Sequence, residues 1–139
     1  MIENFLNARG YRKATPPPGQ NITKMEAGTY CYRLNVPVNV GEGQVNIPID
    51  AVIQPKVPSE GGMPILIEAK SAGDFTNTNK RRKEEAIKLH QLRQTYGAET
   101  RLYLFLCGYF DAGYLGYEAA EGLDWIWEHR VEDLLKLNL

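Results

Sequence analysis

The chain has 139 residues, 43% of them hydrophobic and 24% charged, and a formal net charge of -1. That length and apolar content suit one globular domain, residues 1–139, with a single core. The near-neutral charge excludes a generally basic nucleic-acid binder, so any polyanion must be held by a local patch. No apolar run reaches the roughly 18 residues of a membrane span, and MIENFLNARGYRK lacks the apolar stretch of a signal peptide, so a soluble, cytoplasmic protein is expected.

IENFLNAR, residues 2–9, brings Ile2, Phe5 and Leu6 to one side at helical spacing, and Gly10 is a natural stop, which predicts a short first helix. Residues 14–28, ATPPPGQNITKMEAG, carry three successive prolines and no sustained period, the pattern of a connecting loop that wraps the domain. From Thr29 the period becomes two. Tyr30, Tyr32, Leu34, Val36, Val38 and Val40 share one face of a long strand, with Cys31, Arg33, Asn35 and Asn39 on the other. Gly41-Glu42-Gly43 supplies a tight turn, and Val45, Ile47, Ile49, Ala51 and Ile53 resume the alternation on a returning antiparallel strand.

A Pro/Gly/Ser loop from Pro55 to Pro64 leads into PILIEA, a third strand apolar enough to be central. After Gly73 the pattern predicts a long helix, with Asn77, Thr78 or Asn79 as N-cap and Ala86, Ile87, Leu89 and Leu92 as its inner side, ending at Tyr96-Gly97. LYLFLC, residues 102–107, is an uninterrupted apolar run that suits a strand covered on both faces, so strand, helix and strand form a parallel crossover. Tyr114 to Glu121 reads as a short helix, Asp124 to Glu128 as an edge strand, and Val131 to Leu137 as a final amphipathic helix. Cys31 and Cys107 fall in apolar strands and read as reduced core thiols.

The chemistry gathers around two of these strands. On the returning strand the apolar residues hold the odd positions, which leaves Asp50 on the opposite face. On the third strand Glu68 and Lys70 are two apart and project from one face, while Ile65, Ile67 and Ala69 project from the other. If the two strands pair, Asp50 comes close to Glu68 with Lys70 one pleat further along. Two converging carboxylates with no competing histidine or thiolate make a hard oxygen site suited to Mg²⁺, and a divalent ion would keep both ionised where bare they would repel. A neighbouring lysine can orient water or accept its proton, and the assembly fits a phosphodiester hydrolase. Taken singly, each of these residues is more often a solvated or ion-paired surface group; the joint pattern carries the argument.

With that motif set as Pro48-Ile49-Asp50 and Glu68-Ala69-Lys70, the chain resembles the PD-(D/E)xK nuclease superfamily, departing from it by one residue inserted between the Pro and the Asp. More specifically, NIPIDAVIQPK, LIEAKSAGDFTNTNKRRKEEA and LFLCGYFDAGYLGYEAAEGLDWIWEHR resemble the C-terminal, catalytic portion of the XamI-like type II restriction endonucleases, over about Gly28 to Val131. The resemblance implies an α/β fold with a restriction-endonuclease-like mixed central sheet flanked by helices, an αβββαβ core, and Mg²⁺-dependent cleavage of double-stranded DNA. It further implies that Asp50, Glu68 and the main-chain carbonyl of Ala69 hold the metal and that Lys70 positions the attacking water. A homodimer that cuts both strands and a companion DNA methyltransferase acting on the same site also follow from it. An acid from the first helix joins the metal in some relatives, which brings in Glu3 and, further off, Glu26.

Lys80, Arg81, Arg82 and Lys83 begin the long helix. As a solvated face they would pair with Glu84 and Glu85; near a phosphodiester site they and Asn79, with Asn77, Thr78 and the free helix N–H groups, make a phosphate clamp for DNA. His90 and His129 lack a metal-ligand spacing partner and read as structural. Tyr109, Phe110, Tyr114, Tyr117, Trp125 and Trp127 read as core or interface. Two other readings stay open: a junction-resolving or repair nuclease on the same fold, and a non-catalytic DNA-binding module.

Overall fold

The structure, a computed structural model, describes residues 2–17, 19, 21–58, 61–71, 78–107, 115, 119–120 and 122–137; the side chains of residues 71 and 78–83 lie outside that description. Helix α1 (Ile2–Ala8) buries Leu6 and is stopped by Gly10, whose φ of 85° carries the chain away in a conformation that favours glycine. A two-residue strand β1 (Arg12–Lys13) follows, then a 3-10 turn (Ile22–Lys24) capped by the Asn21 side chain, which accepts from the Thr23 N–H at 3.3 Å. The long hairpin β2 (Thr29–Val40) and β3 (Gly43–Gln54), strand β4 (Ile65–Ser71), helix α2 (Thr78–Tyr96), and strands β5 (Leu102–Cys107) and β6 (Asp124–Trp127) complete the core. A 3-10 segment (Glu128–Leu137) comes last.

The six strands lie in chain order in one sheet: β1 parallel to β2, β2–β3–β4 antiparallel, and β4–β5–β6 parallel. The mixed α/β sheet, the hairpin and the parallel crossover through α2 are as the sequence predicts. Gln54 is buried where the hairpin ends, its amide donating to the Gly62 carbonyl at 2.8 Å, so the loop after β3 is tied back to the sheet.

Each face of the sheet has its own apolar layer. On the α2 side Leu34, Val36, Val38, Ile47, Ile49, Val52 and Leu66 pack with Leu89 and Leu92, and Ile22 and Met25 of the wrapping loop join them. On the other side Tyr30, Ala51, Ile53, Ile65, Ile67 and Phe105 pack with Leu6 of α1 and with Leu134 and Leu137. The predicted single apolar face of the hairpin is therefore wrong: residues of one parity divide between the two layers. The division falls at the Arg33/Asp50 step, which is missing from the β2–β3 ladder although the register is the same on both sides of it. Arg33 there has φ 55°, a left-handed conformation rare for a residue with a Cβ, and it carries the hairpin from one layer to the other.

Other departures are local. The inner side of α2 is Glu85, Leu89 and Leu92, whereas Ile87, expected inside, is 54% exposed. Positions 85, 89 and 92 form a stripe at i, i+4 and i+7, while position 87 stands two residues off that stripe. The last segment is 3-10 and is kinked at Arg130 (φ -132°, ψ 46°), where an α-helix was expected. Val131, Leu134 and Leu137 recur every three residues, so the tighter winding with three residues per turn puts all three on the apolar layer. Of the expected helix over 114–121 the structure describes residues 115, 119 and 120, all three helical, while the aromatics Tyr109, Phe110, Tyr114 and Tyr117 lie outside the described residues, as does Asn77. Trp125 and Trp127 pack beside Leu104 and Leu106, and both cysteines are free, Cys31 buried and Cys107 half-buried. Among the described residues no helix is long and apolar enough to cross a membrane.

Candidate active site

Strands β3 and β4 pair only through Ala51–Ile67, Val52–Leu66 and Ile53–Ile65. The next step in that register would set Asp50 against Glu68, and there the ladder stops. In its place the Asp50 side chain takes the hydrogen bond: Oδ2 accepts from the Ala69 N–H at 2.8 Å. Beyond this point β4 remains paired on its other edge with β5, through Lys70 and Ser71, so it continues as a strand while β3 diverges. The result is a cleft with an acid on each wall. Asp50 is exposed, and it also borders an open groove beside Lys13, Thr15, Cys31, Tyr32 and Arg33. Glu68 is 4% exposed.

Leu66 lies in the α2-side layer, and Glu68 and Lys70, two and four residues on, both meet α2, which is the same-face relation expected from the two-residue period. The contacts are crossed. Lys88 Nζ lies 3.1 Å from Glu68 Oε1 and donates to the Pro48 carbonyl at 3.3 Å, while Lys70 Nζ lies 2.5 Å from Glu85 Oε1. Glu85 is 1% exposed, and its Oε2 has no hydrogen-bond partner among the described residues.

Burial pushes the Glu68 carboxyl up to about 8, against the opposing pull of Lys88; the Glu85 charge, a hydrogen bond with Asp50 and the Asp50 charge push it further the same way. The Lys88 contact alone would hold the carboxyl low, but removal from water together with two acidic neighbours outweighs one ammonium. The buried Glu68 carboxyl is therefore held toward its neutral form, and only further positive charge beside it would favour the carboxylate.

Two carboxyl groups meeting at the end of a ladder form an all-oxygen donor set that fits a hard divalent cation. Among the described residues no three His, Cys, Asp or Glu side chains gather as metal ligands.

Glu3 and Glu26 are not part of this arrangement. Glu3 Oε1 accepts from the Tyr30 hydroxyl at 3.5 Å, and Glu26 pairs with Arg12 at the surface at 3.5 Å. Asn79, Lys80, Arg81, Arg82 and Lys83 are in the first turns of α2, on the same helix as Glu85 and Lys88, but their side chains lie outside the description. His90 is exposed on α2, and the His129 ring lies 5.7 Å from that of Trp127.

Sequence reasoning missed Glu85 and Lys88. Glu85 was read as a partner for the adjacent basic run; its signal was its place on the Leu89–Leu92 stripe. Lys88 follows Glu85 by three residues and so shares that side of the helix.

The fold class is shared with a solved structure, protein VC1899 from Vibrio cholerae, at a TM-score of 0.51 and 19% identity over 85% of this chain and 28% of that one. It is the mixed α/β architecture of restriction-endonuclease-like proteins. Residues 1–127 match the model of the XamI restriction endonuclease family, and the chain belongs to that family. It is 62% identical over 134 residues to the type II restriction enzyme SalI of Streptomyces albus G, an alignment that takes in 96% of this chain and 42% of that protein. The chain thus spans less than half the length of this relative.

Proposed function

We propose that this chain is the catalytic domain, residues 1–139, of a type II restriction endonuclease: a metal-dependent, site-specific hydrolase of phosphodiester bonds in double-stranded DNA. The observation that carries this reading is the open end of the β3–β4 ladder, where Asp50 and Glu68 face each other with Lys70 on the same side of β4. Membership of the restriction endonuclease family supports it.

Asp50 and Glu68, with the carbonyl of Ala69, would hold Mg²⁺. When bound, the ion supplies Lewis-acid polarisation of the phosphate and offsets the charge that builds up in the transition state. Lys70 orients the attacking water or takes its proton. The water oxygen attacks phosphorus in line, one P–O bond forms as the opposite one breaks, and the departing oxygen takes a proton from solvent water. Lys88 supplies a fixed positive charge beside Glu68. Asn79 and Lys80 to Lys83 in the first turns of α2 contact DNA phosphates, helped by the free N–H groups and the positive end of the helix. A homodimer would place one such site on each strand of a two-fold symmetric DNA sequence, and a methyltransferase acting on that sequence would protect host DNA.

The test is incubation of the purified chain with mixed duplex DNA, with and without Mg²⁺, followed by sequencing of the ends. Cleavage only with the metal, at one recurrent sequence, is the expected result. Uncut DNA in Mg²⁺, or ends spread evenly over all sequences, would overturn the reading.

A further inference from the structure

Among the described residues two ion pairs cross between β4 and α2, Glu68 with Lys88 and Lys70 with Glu85, and the second lacks an evident packing reason. Glu68 faces Asp50, and Lys88 lies against Glu68 at 3.1 Å. Lys70 already stands next to that acid pair and could lie on it, since a lysine stem has four freely rotating carbons. Instead its ammonium lies 2.5 Å from Glu85 Oε1, and Glu85 is 1% exposed while the Lys70 side chain is 12% exposed. A charged pair taken so far out of water is costly to form, and apolar side chains of similar volume would fill the space as well or better. One carboxylate oxygen, Glu85 Oε2, is moreover buried without a partner among the described residues, which adds a desolvation cost. The α2 stripe that places it there continues with Leu89 and Leu92, so an apolar residue at 85 would fit the layer.

We propose that Glu85 is a positioning residue for Lys70, an inference that rests on the nuclease reading. Its carboxylate draws the ammonium one pleat away from Asp50 and Glu68, which keeps those oxygens open to a divalent cation and fixes the lysine beside the position of the attacking water. Without Glu85, the Lys70 ammonium falls onto the acid pair, competes with the cation and loses its orientation.

The experiment compares the wild-type chain with Glu85→Gln, Glu85→Asp, Lys70→Met and the Lys70→Met/Glu85→Gln double variant. The first readout, taken without metal, is the rate at which an amine-reactive ester acylates Lys70, followed by mass spectrometry. The second is the single-turnover rate of duplex cleavage as Mg²⁺ is raised. In Glu85→Gln the acylation rate of Lys70 changes, because the amine exchanges a buried partner for the more open acid pair, and cleavage falls by about 10- to 100-fold, as for residues that orient a metal site from outside it, with more Mg²⁺ needed for half the maximal rate. Glu85→Asp recovers part of both effects, and it carries the same comparison if the Gln variant does not fold. The double variant is as slow as Lys70→Met alone, a non-additivity that a purely structural role would not produce.

Acylation or cleavage unchanged in Glu85→Gln, or losses that simply add in the double variant, would overturn the proposal. If the wild-type chain cuts no DNA at any Mg²⁺ concentration, the nuclease reading fails. The acylation rates then decide by themselves whether Glu85 holds Lys70.

Discussion

The β3–β4 pair is closed at one end and open at the other, and the same two strands do different work at each. At the closed end Ala51–Ile67, Val52–Leu66 and Ile53–Ile65 complete the ladder and feed both apolar layers. One step further the side chains are Asp50 and Glu68, and the ladder ends with a carboxylate accepting from the Ala69 N–H. A strand anchored by apolar packing can thus project acids into a cleft with little freedom, because its backbone remains held by β5 on the opposite edge. The layer beneath shows the same contrast, with Leu89 and Leu92 of α2 closing the core and Glu85 and Lys88 meeting β4 at the cleft.

The contrast breaks most visibly if charge at the open end is exchanged for apolar volume. In a Lys70→Met/Glu85→Leu variant, thermal melting should show stability equal to or above wild type, since well-packed apolar replacements of a buried pair are often neutral or stabilising. Its cleavage rate should drop by roughly 10²- to 10⁴-fold, the range for a group that handles protons or water in the transition state. Removing Lys70 alone should instead cost about 3–5 kcal/mol, because Glu85 is left buried and uncompensated. At the closed end Leu92→Ala should cost about 2–5 kcal/mol in a denaturant titration while leaving cleavage per folded molecule unchanged.

A smaller effect concerns pH. The folded metal-free protein holds a proton on Glu68 up to about pH 8, whereas the unfolded chain releases it near the ordinary value of 4.5. Between these values the native state binds more protons, so stability should fall as pH rises, by on the order of 1 kcal/mol per pH unit at most. Urea titrations from pH 5 to pH 8 should show that slope in wild type and a flatter one in Glu68→Gln. Least of all, Ile87→Lys should change stability by no more than about 0.5 kcal/mol, since that side chain already faces solvent.

Ile87 also shows where the sequence was legible. The hairpin, the crossover helix and the Glu68/Lys70 face follow from periods of two and 3.6, and they are found as expected. An apolar side chain on α2 was assumed to face inward and a charged one outward, and at positions 87 and 85 both assumptions fail. A site that needs a buried acid breaks the hydrophobic pattern from which helix faces are read. The change of layer at the Arg33/Asp50 step was equally hidden, because a left-handed arginine leaves no compositional mark as a glycine would. β1 is too short to show a period. The winding of the final helical segment is not legible either, because spacings of three at Val131, Leu134 and Leu137 fit both kinds of helix over so few residues.

The central claim is that the open end of the β3–β4 ladder holds a catalytic cation, and Asp50→Asn tests it most directly. The amide oxygen can still accept from the Ala69 N–H, so the local fold is kept while one negative charge is removed. Duplex cleavage in Mg²⁺ should be lost in this variant with its melting temperature unchanged; cleavage at the wild-type rate would contradict the account.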